Sequence, residues 1–416
     1  MVKKTLILLI VMFFAVGANA ATVKIGLNYP KTGPYSVQGL AQLRAAQMAV
    51  EKINGAGGIL GETIDLVVRD SKSNADVAKK NVAELIDKED CEMIFGGSAS
   101  SVAIAGGKVA KAREKLYFGT LTYSNATTGK AGHKYMFREC YNAWMGAKVL
   151  SEYLKKNYYG KKYFYVTANY TWGWTTEESI RKFSGTLDKK RHKRVLTPFP
   201  GATDQDFKSA LQHEAISKAD VLVLVLFGKD MAKAVKIATS MGLKKKMAVV
   251  VPNITLGMAE SAGAKVMEGV VGALPWSWKI PYLYNYPGGK DFVEKFATRY
   301  KTYPSTSAAS AYTILFQYKD AVERAKSFDS KAVIAALEGY SYSLLKDKQT
   351  WRAFDHQSIQ TVYAVKCKPV QEVVKDKFKQ DYFEIINTMS AEKSARTKTY
   401  WVRERKSAGV PDQLQW

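Results

Sequence analysis

The stretch VKIGLNYPKTGPYSVQGLAQLRAAQMAVEKINGAGGILGETIDLVVRDSKSN, residues 23–74, decides the architecture of the chain. Its first seven residues read as a strand that runs into a turn carrying Pro30, Gly33, Pro34 and Tyr35. Proline and glycine fix the path of such a turn at small entropic cost. Beyond the turn, Leu40, Leu43, Ala46, Val50 and Ile53 recur at spacings of three and four, the mark of a helix with one apolar face. TIDLVVRD at 63–70 is a second strand. Strand, helix and strand at this spacing predict a right-handed crossover in a parallel sheet.

The alternation continues outward. A helix carrying Ala78, Val82, Leu85 and Ile86 precedes the strand CEMIFGG at 91–97, a helix from Ser98 and the strand LYFGTLT at 116–122. A second series starts near residue 140, with a helix to about Lys156 and KYFYVTANY at 162–170. It continues with a helix from Thr175, RVLTPFP at 194–200, a helix near 204–216, DVLVLVLF at 220–227, a further helix and KMAVVVPN at 246–253. GVVGALPW at 269–276 then leads to long helices at 289–302 and 305–326, read as a return to the first unit. The predicted fold class is α/β: two doubly wound parallel-sheet lobes joined by several crossings. In such sheets the carboxyl ends of the strands face the ligand site, so Pro30, Gly33, Pro34 and Tyr35 become cleft wall.

The chain opens with Lys3 and Lys4, an apolar run from Leu6 to Val16, and Ala18-Asn19-Ala20, the pattern of an export signal cut after Ala20. The run is shorter than the roughly 20 apolar residues of a membrane crossing. No cysteine follows the cut to take a lipid anchor. The remaining residues suit two domains at roughly 100 to 200 residues each. Net charge is +24, or +22 without Lys3 and Lys4, which raises the question of an anionic partner. Export speaks against nucleic acid, and paired lysines such as Lys79-Lys80 and Lys161-Lys162 read as solvated helix faces. KKRHKR at 189–194 is the one dense cluster, read as a surface loop. Cys91, Cys140 and Cys367 allow at most one internal disulfide.

FGGSASSVAIAGG at 95–107 passes from strand to helix with Ser98, Ser100 and Ser101 in the first turn. Helix-start amides and hydroxyls suit a carboxylate, although a serine there equally serves as a cap. GTLTYSNATTG at 119–129 leaves the next strand with Thr120, Thr122, Tyr123 and Ser124. ANYTWGWTTEESI at 168–180 places Tyr170, Trp172 and Trp174 at a strand-to-helix junction, with Trp172 expected to face the cleft and Thr175 with Glu178 reading as a capping box. Trp276, Trp278 and Tyr282 extend the aromatic argument. The four histidines, His133, His192, His213 and His356, sit in no metal-ligand spacing, and no phosphate loop, dinucleotide fingerprint or G-x-S-x-G occurs. No cofactor and no catalytic residue is expected.

The segment 23–74, above all EKINGAGGILG and the aspartate of VVRDSKSN, resembles the amino-terminal segment of type I periplasmic solute-binding proteins, the leucine/isoleucine/valine-binding family of ABC importers. The similarity runs from about residue 22 to about 340 and weakens after 370. The resemblance implies two lobes closing on a solute about a three-strand hinge, with crossings near 138–141, 272–275 and 340–345. Lobe 1 is then 21–139 plus 275–340, and lobe 2 is 140–274 plus 341–370. Residues 371–416 form an extension without a clear place. A disulfide between Cys140 and Cys367 near the hinge is one expectation, buried free thiols the other.

By position, the resemblance makes Ser98, Ala99, Ser100, Leu121 and Tyr123 the carboxylate grip of the first lobe, and Trp172, Phe227 and Asn253 the opposing wall. Tyr35, Gln38 and Trp276 complete the expected site. Three positions depart from the pattern: Ala99 stands for a serine, Tyr123 for a threonine, and Asn253 for the acid that pairs with a ligand ammonium. An asparagine cannot supply that charge, and an unpartnered ammonium in a dry cleft costs several kcal/mol. The expected ligand is therefore a neutral-bodied carboxylate or amide, unless an acid such as Glu260 reaches in from elsewhere. The implied partners are a small organic ligand (an amino acid, carboxylate or amide) and ABC permease subunits of the inner membrane. The implied setting is a monomer in the periplasm. A sensor subunit of the same fold, presenting ligand to a membrane receptor, is the alternative; a secreted hydrolase is a third.

Overall fold

The computed structural model describes residues 21–416; the export signal expected over 1–20 lies outside the described residues. The opening segment folds as read. Strand β1 (Thr22–Tyr29) leads through the Pro-Gly-Pro turn to helix α1 (Ser36–Gly55) and to β2 (Thr63–Asp70), which pairs parallel to β1. Helix α2 (Ala75–Asp87), its first amides capped by the Asn74 side chain, leads to β3 (Met93–Gly96), and α3 (Ser100–Lys111) to β4 (Leu116–Gly119) and β5 (Met136–Arg138). The strand order is β2-β1-β3-β4-β5, so the winding reverses beside β1. That switch point opens a crevice at the carboxyl ends, where Tyr35 and the 97–100 loop emerge.

The second sheet repeats the plan. Helix α4 (Ala143–Tyr158), capped by Asn142, precedes β6 (Tyr163–Ala168), α5 (Thr171–Ser184) and β7 (Arg194–Thr197). Then follow α6 (Asp204–Leu211), β8 (Val221–Val225), α7 (Gly228–Ser240), β9 (Ala248–Val251), α8 (Leu256–Ala262) and β10 (Val271–Leu274). All five strands are parallel. The buried runs at β6 and β8 are continuous rather than alternating, as expected of strands covered on both faces. The helices Pro287–Tyr300 and Thr306–Ala325 return to the first sheet, packing Phe292, Phe296, Leu315 and Tyr318 into the core of Leu27, Phe95 and Phe118.

The chain from residue 341 onward departs from expectation. β11 (Ser341–Tyr342), β12 (Gln349–Trp351) and β13 (Ser358–Ile359) form a small antiparallel sheet whose Tyr342 and Trp351 belong to the first core. Residues 341–359, assigned from sequence to the second lobe, thus pack with the first. The third crossing is made at 360–361 instead of 340–345, where the chain enters β14 (Val362–Cys367). β14 and β15 (Phe383–Met389) add to the second sheet antiparallel, giving the order β15-β14-β10-β9-β8-β6-β7. The 371–416 extension therefore begins as an edge strand of the second sheet. It then returns to the first: the helix Lys398–Ser407 donates from Trp401 Nε1 to Thr128 O at 2.7 Å, and Lys134 N donates to Gln415 O at 2.9 Å.

The crossings are tied by buried side chains, two amides and one ammonium. Gln357 Nε2 donates to Cys140 O at 2.9 Å, Gln360 Nε2 to Glu139 O at 2.8 Å, and Lys346 Nζ to Pro275 O at 2.8 Å. The expected Cys140–Cys367 bridge is absent; Cys91, Cys140 and Cys367 are all free and buried. Among the described residues, no helix is long and apolar enough to cross a membrane.

Candidate functional site

The loops at the carboxyl ends of the two sheets meet in a seam of aromatic rings. Tyr35 comes from the loop after β1 and Tyr123 from the loop after β4. Tyr170 and Trp172 follow β6, Phe199 follows β7, and Phe227 follows β8. Phe227 is the hub, with ring centroids 5.1 Å from Tyr35, 5.8 Å from Tyr123 and 5.9 Å from Trp172. Tyr35 also stacks on Phe199 at 5.5 Å, and Tyr170 on the same ring at 3.9 Å. Such ring pairs add about 0.5–1.5 kcal/mol each beyond their buried area.

The approach of the lobes depends on one glycine. Gly228, at the start of α7, has φ +61, and a Cβ there would lie 2.5 Å from Tyr35 Cδ1. Its neighbour Lys229 donates its backbone N–H to Pro34 O at 3.0 Å, a bond from one lobe to the other. The seam continues as hydroxyl contacts. Ser124 Oγ lies 3.1 Å from both Thr171 Oγ1 and Thr175 Oγ1, and Gln38 Nε2 donates to Thr255 Oγ1 at 3.4 Å. Thr175 therefore serves the seam from inside α5, which begins at Thr171; the capping box expected with Glu178 does not form.

The polar grip differs from the sequence reading. Ala99, not a serine, occupies the cap of α3 and makes no side-chain cap bond. Ser98 Oγ accepts from Gln42 Nε2 of α1 at 3.0 Å and Ser100 Oγ from Ser124 N of the loop after β4 at 2.9 Å, so the two hydroxyls brace neighbouring elements while keeping an O–H to donate. Ala99 and Leu121 are buried in the same cluster as the rings. Five of the expected residues carry buried polar atoms with no partner: Tyr123 OH, Trp172 Nε1, Asn253 Nδ2, Gln38 Oε1 and, outside the ring seam, Trp276 Nε1. A buried donor left without an acceptor costs about 1–3 kcal/mol, so natural chains rarely keep several together without use.

Trp276 lies apart from the ring seam. It packs on Phe292 in the first core and lines a narrow hinge cavity with Glu139, Lys346 and Gln360. Glu260 does not enter the seam; it accepts from Gln380 Nε2 and borders a neighbouring interlobe groove with Gln38, Arg44 and Tyr303, where burial pushes its carboxyl up. Trp174 is half exposed, its Nε1 bonded to Asn169 Oδ1 at 3.0 Å. Sequence reading did not select Tyr170, Phe199 or Asp230. Tyr170 stood in the quoted aromatic segment, and Asp230 three residues past Phe227, on the inner face of the next helix turn. Phe199, between two prolines, carried no signal. Among the described residues no group of three or more His, Cys, Asp and Glu is placed to hold a metal ion.

The model of the periplasmic binding protein family matches residues 22–374. The Leu/Ile/Val-binding protein homolog 4 of Brucella melitensis is 26% identical over 364 residues, covering 83% of each chain. A crystal structure of a periplasmic binding protein from Burkholderia mallei superposes with a TM-score of 0.82 at 25% identity, covering 91% of this chain and 97% of that one. The solute-binding protein of an ABC transporter from Rhodopseudomonas palustris, in complex with 3,4-dihydroxybenzoic acid, shares the fold with a TM-score of 0.75 at 17% identity, covering 89% and 98%. The chain is therefore a member of the periplasmic binding protein family, of the Leu/Ile/Val-binding type.

Proposed function

We propose that this protein captures a small organic solute between its two lobes in the periplasm and delivers it, as a monomer, to the permease subunits of an ABC importer. The reading rests above all on the unpartnered polar atoms of the seam. Tyr123 OH comes from the first lobe and Trp172 Nε1 from the second, both rings lying against Phe227, and Asn253 Nδ2 is buried at the carboxyl end of β9 in the second lobe. An indole N–H and an amide NH₂ can only donate. The group they await is an acceptor, a carboxylate or carboxamide oxygen, and hydrogen bonds to a carboxylate are the stronger kind. A solute touching both lobes adds its contact energy to the closed form only, which is how ligand drives closure. Relatives named for leucine, isoleucine and valine, and a neighbour bound to a dihydroxybenzoic acid, are consistent with an acid of this size.

The test is a thermal-shift and calorimetric panel on protein refolded to strip bound ligand, spanning amino acids, their deaminated acids, benzoate-type acids and amides. A saturable response from one class, with a smaller radius of gyration by small-angle scattering in its presence, is expected. A radius unchanged by a ligand that binds, or turnover of an amide or ester abolished by changing one seam residue, overturns the reading.

A further inference from the structure

Asp230 stands in the first turn of α7, three residues after Phe227, and is only 8% exposed. Two other first-turn acids are engaged: Asp206 accepts from the Thr203 N–H and hydroxyl, and Asp76 pairs with Lys79. The carboxylate of Asp230 takes part in no hydrogen bond or ion pair among the described residues. Its nearby cation, Lys233, is committed to Asp204 at 2.9 Å.

What surrounds this acid is aromatic. The preceding residues, Gly228 and Lys229, lie directly on Tyr35 and Pro34. Tyr35 and Tyr170 join hydroxyls at 2.8 Å, and their phenol pKa values are raised by burial, with the Asp230 charge contributing at both. Phe199 stacks on both tyrosines and Phe227 meets Tyr35 edge-on. An acid largely withdrawn from water, whose one nearby cation is held by another carboxylate, carries a penalty, and aromatic faces attract organic cations. The two conditions call for the same occupant.

We infer that Asp230, with Tyr35, Tyr170, Phe199 and Phe227, forms the seat of an organic ammonium group on the captured solute. The cargo assignment rests on the proposed solute-binding role; the cation seat itself does not. With the donors of Tyr123, Trp172 and Asn253 addressing a carboxylate, the solute class becomes a zwitterion, its nitrogen held at Asp230 instead of at position 253. This reverses the expectation of a neutral-bodied acid, which followed from Asn253 alone.

The experiment titrates ligand-stripped wild type and D230N with tetramethylammonium chloride, and with tert-butanol as an uncharged probe of similar shape, following tryptophan and tyrosine fluorescence at matched ionic strength. Saturable binding of tetramethylammonium, weakened at least about tenfold in D230N and absent for tert-butanol, is expected. In wild type the binding should fall away as pH drops through about 6, where burial has placed the Asp230 carboxyl; this arm needs no variant. Equal response from D230N, no saturable response, or no loss at low pH overturns the seat. A parallel panel pairs amino acids with their deaminated acids. If wild type and D230N both prefer the deaminated acid equally, the seat fails and solute capture stands. If tetramethylammonium binds as expected and no solute does, capture fails and the seat stands.

Discussion

The phenol oxygens of Tyr35 and Tyr170 meet at 2.8 Å, one from the loop after β1 and the other from the loop after β6, so one of the hydrogen bonds between the lobes joins two buried phenols. Removing one hydroxyl strands the other. Y170F is expected to weaken the closed form by about 1–3 kcal/mol, and the double change Y35F/Y170F by less, because no orphan remains. Small-angle scattering of the four proteins, with ligand titrated in, measures the cycle.

Gly228 should be intolerant of a methyl group for reasons of closure, not of folding. Alanine at φ +61 carries backbone strain of order 1 kcal/mol, and its Cβ would also lie 2.6 Å from Pro34 O. The clash with Tyr35 and Pro34 eases when the lobes part, whereas the backbone strain stays. G228A should keep wild-type circular dichroism and bind solute at least about tenfold more weakly; unchanged affinity refutes the steric role.

Trp172 Nε1 is a buried donor without an acceptor. W172F deletes that N–H and keeps a flat apolar side chain. The variant should match or exceed wild type in ligand-free melting temperature while losing affinity for the solute, the usual opposition between a poised site and stability. Reduced stability with unchanged affinity would place the indole outside the site.

Burial raises the Asp230 carboxyl from the ordinary 3.8 to about 6. Between these values the folded protein holds a proton that the unfolded chain releases, so stability falls as pH rises from about 4 to about 6. Lys233 offsets the shift only in part, and Tyr35 and Tyr170, which also face the group, stay protonated throughout. Relative to wild type, D230N should therefore gain stability across this window, by up to about 3 kcal/mol. Urea melts of both proteins at pH 4 and pH 7 measure it; a difference independent of pH counts against an unpartnered carboxylate.

The three thiols should resist labelling in the native state. Burial pushes Cys91, Cys140 and Cys367 up to about 12, and the thiolate is the reactive form. Peptide mapping without reduction should recover all three free. Aromatic-disulfide reagents should count them only after denaturation; a Cys140–Cys367 peptide would contradict the structure.

Local pattern and nearest-neighbour chemistry carried the architecture. The alternation of strand and helix across 23–74 already contains the parallel crossover, because side-chain periodicity and turn residues act within a few positions of one another. The same logic located the loops that bear Tyr35, Tyr123, Trp172, Phe227 and Asn253, since ligand sites in open α/β sheets follow strand ends. It failed where a residue's role depends on a distant segment. That Ser98 and Ser100 also brace the fold depends on Gln42 and Ser124, which lie far off in the chain. Residues 341–359 joined the first core through Trp351 packing on Phe118 and Phe137, contacts that no local pattern announces. Asp230 looks in sequence like any acid in a first helical turn; only the tertiary structure leaves it 8% exposed, on the helix whose start packs on the Tyr35 loop. Burial and pairing are properties of the closed tertiary arrangement, because they depend on which segments exclude solvent from one another and not on the residues that adjoin them in the chain.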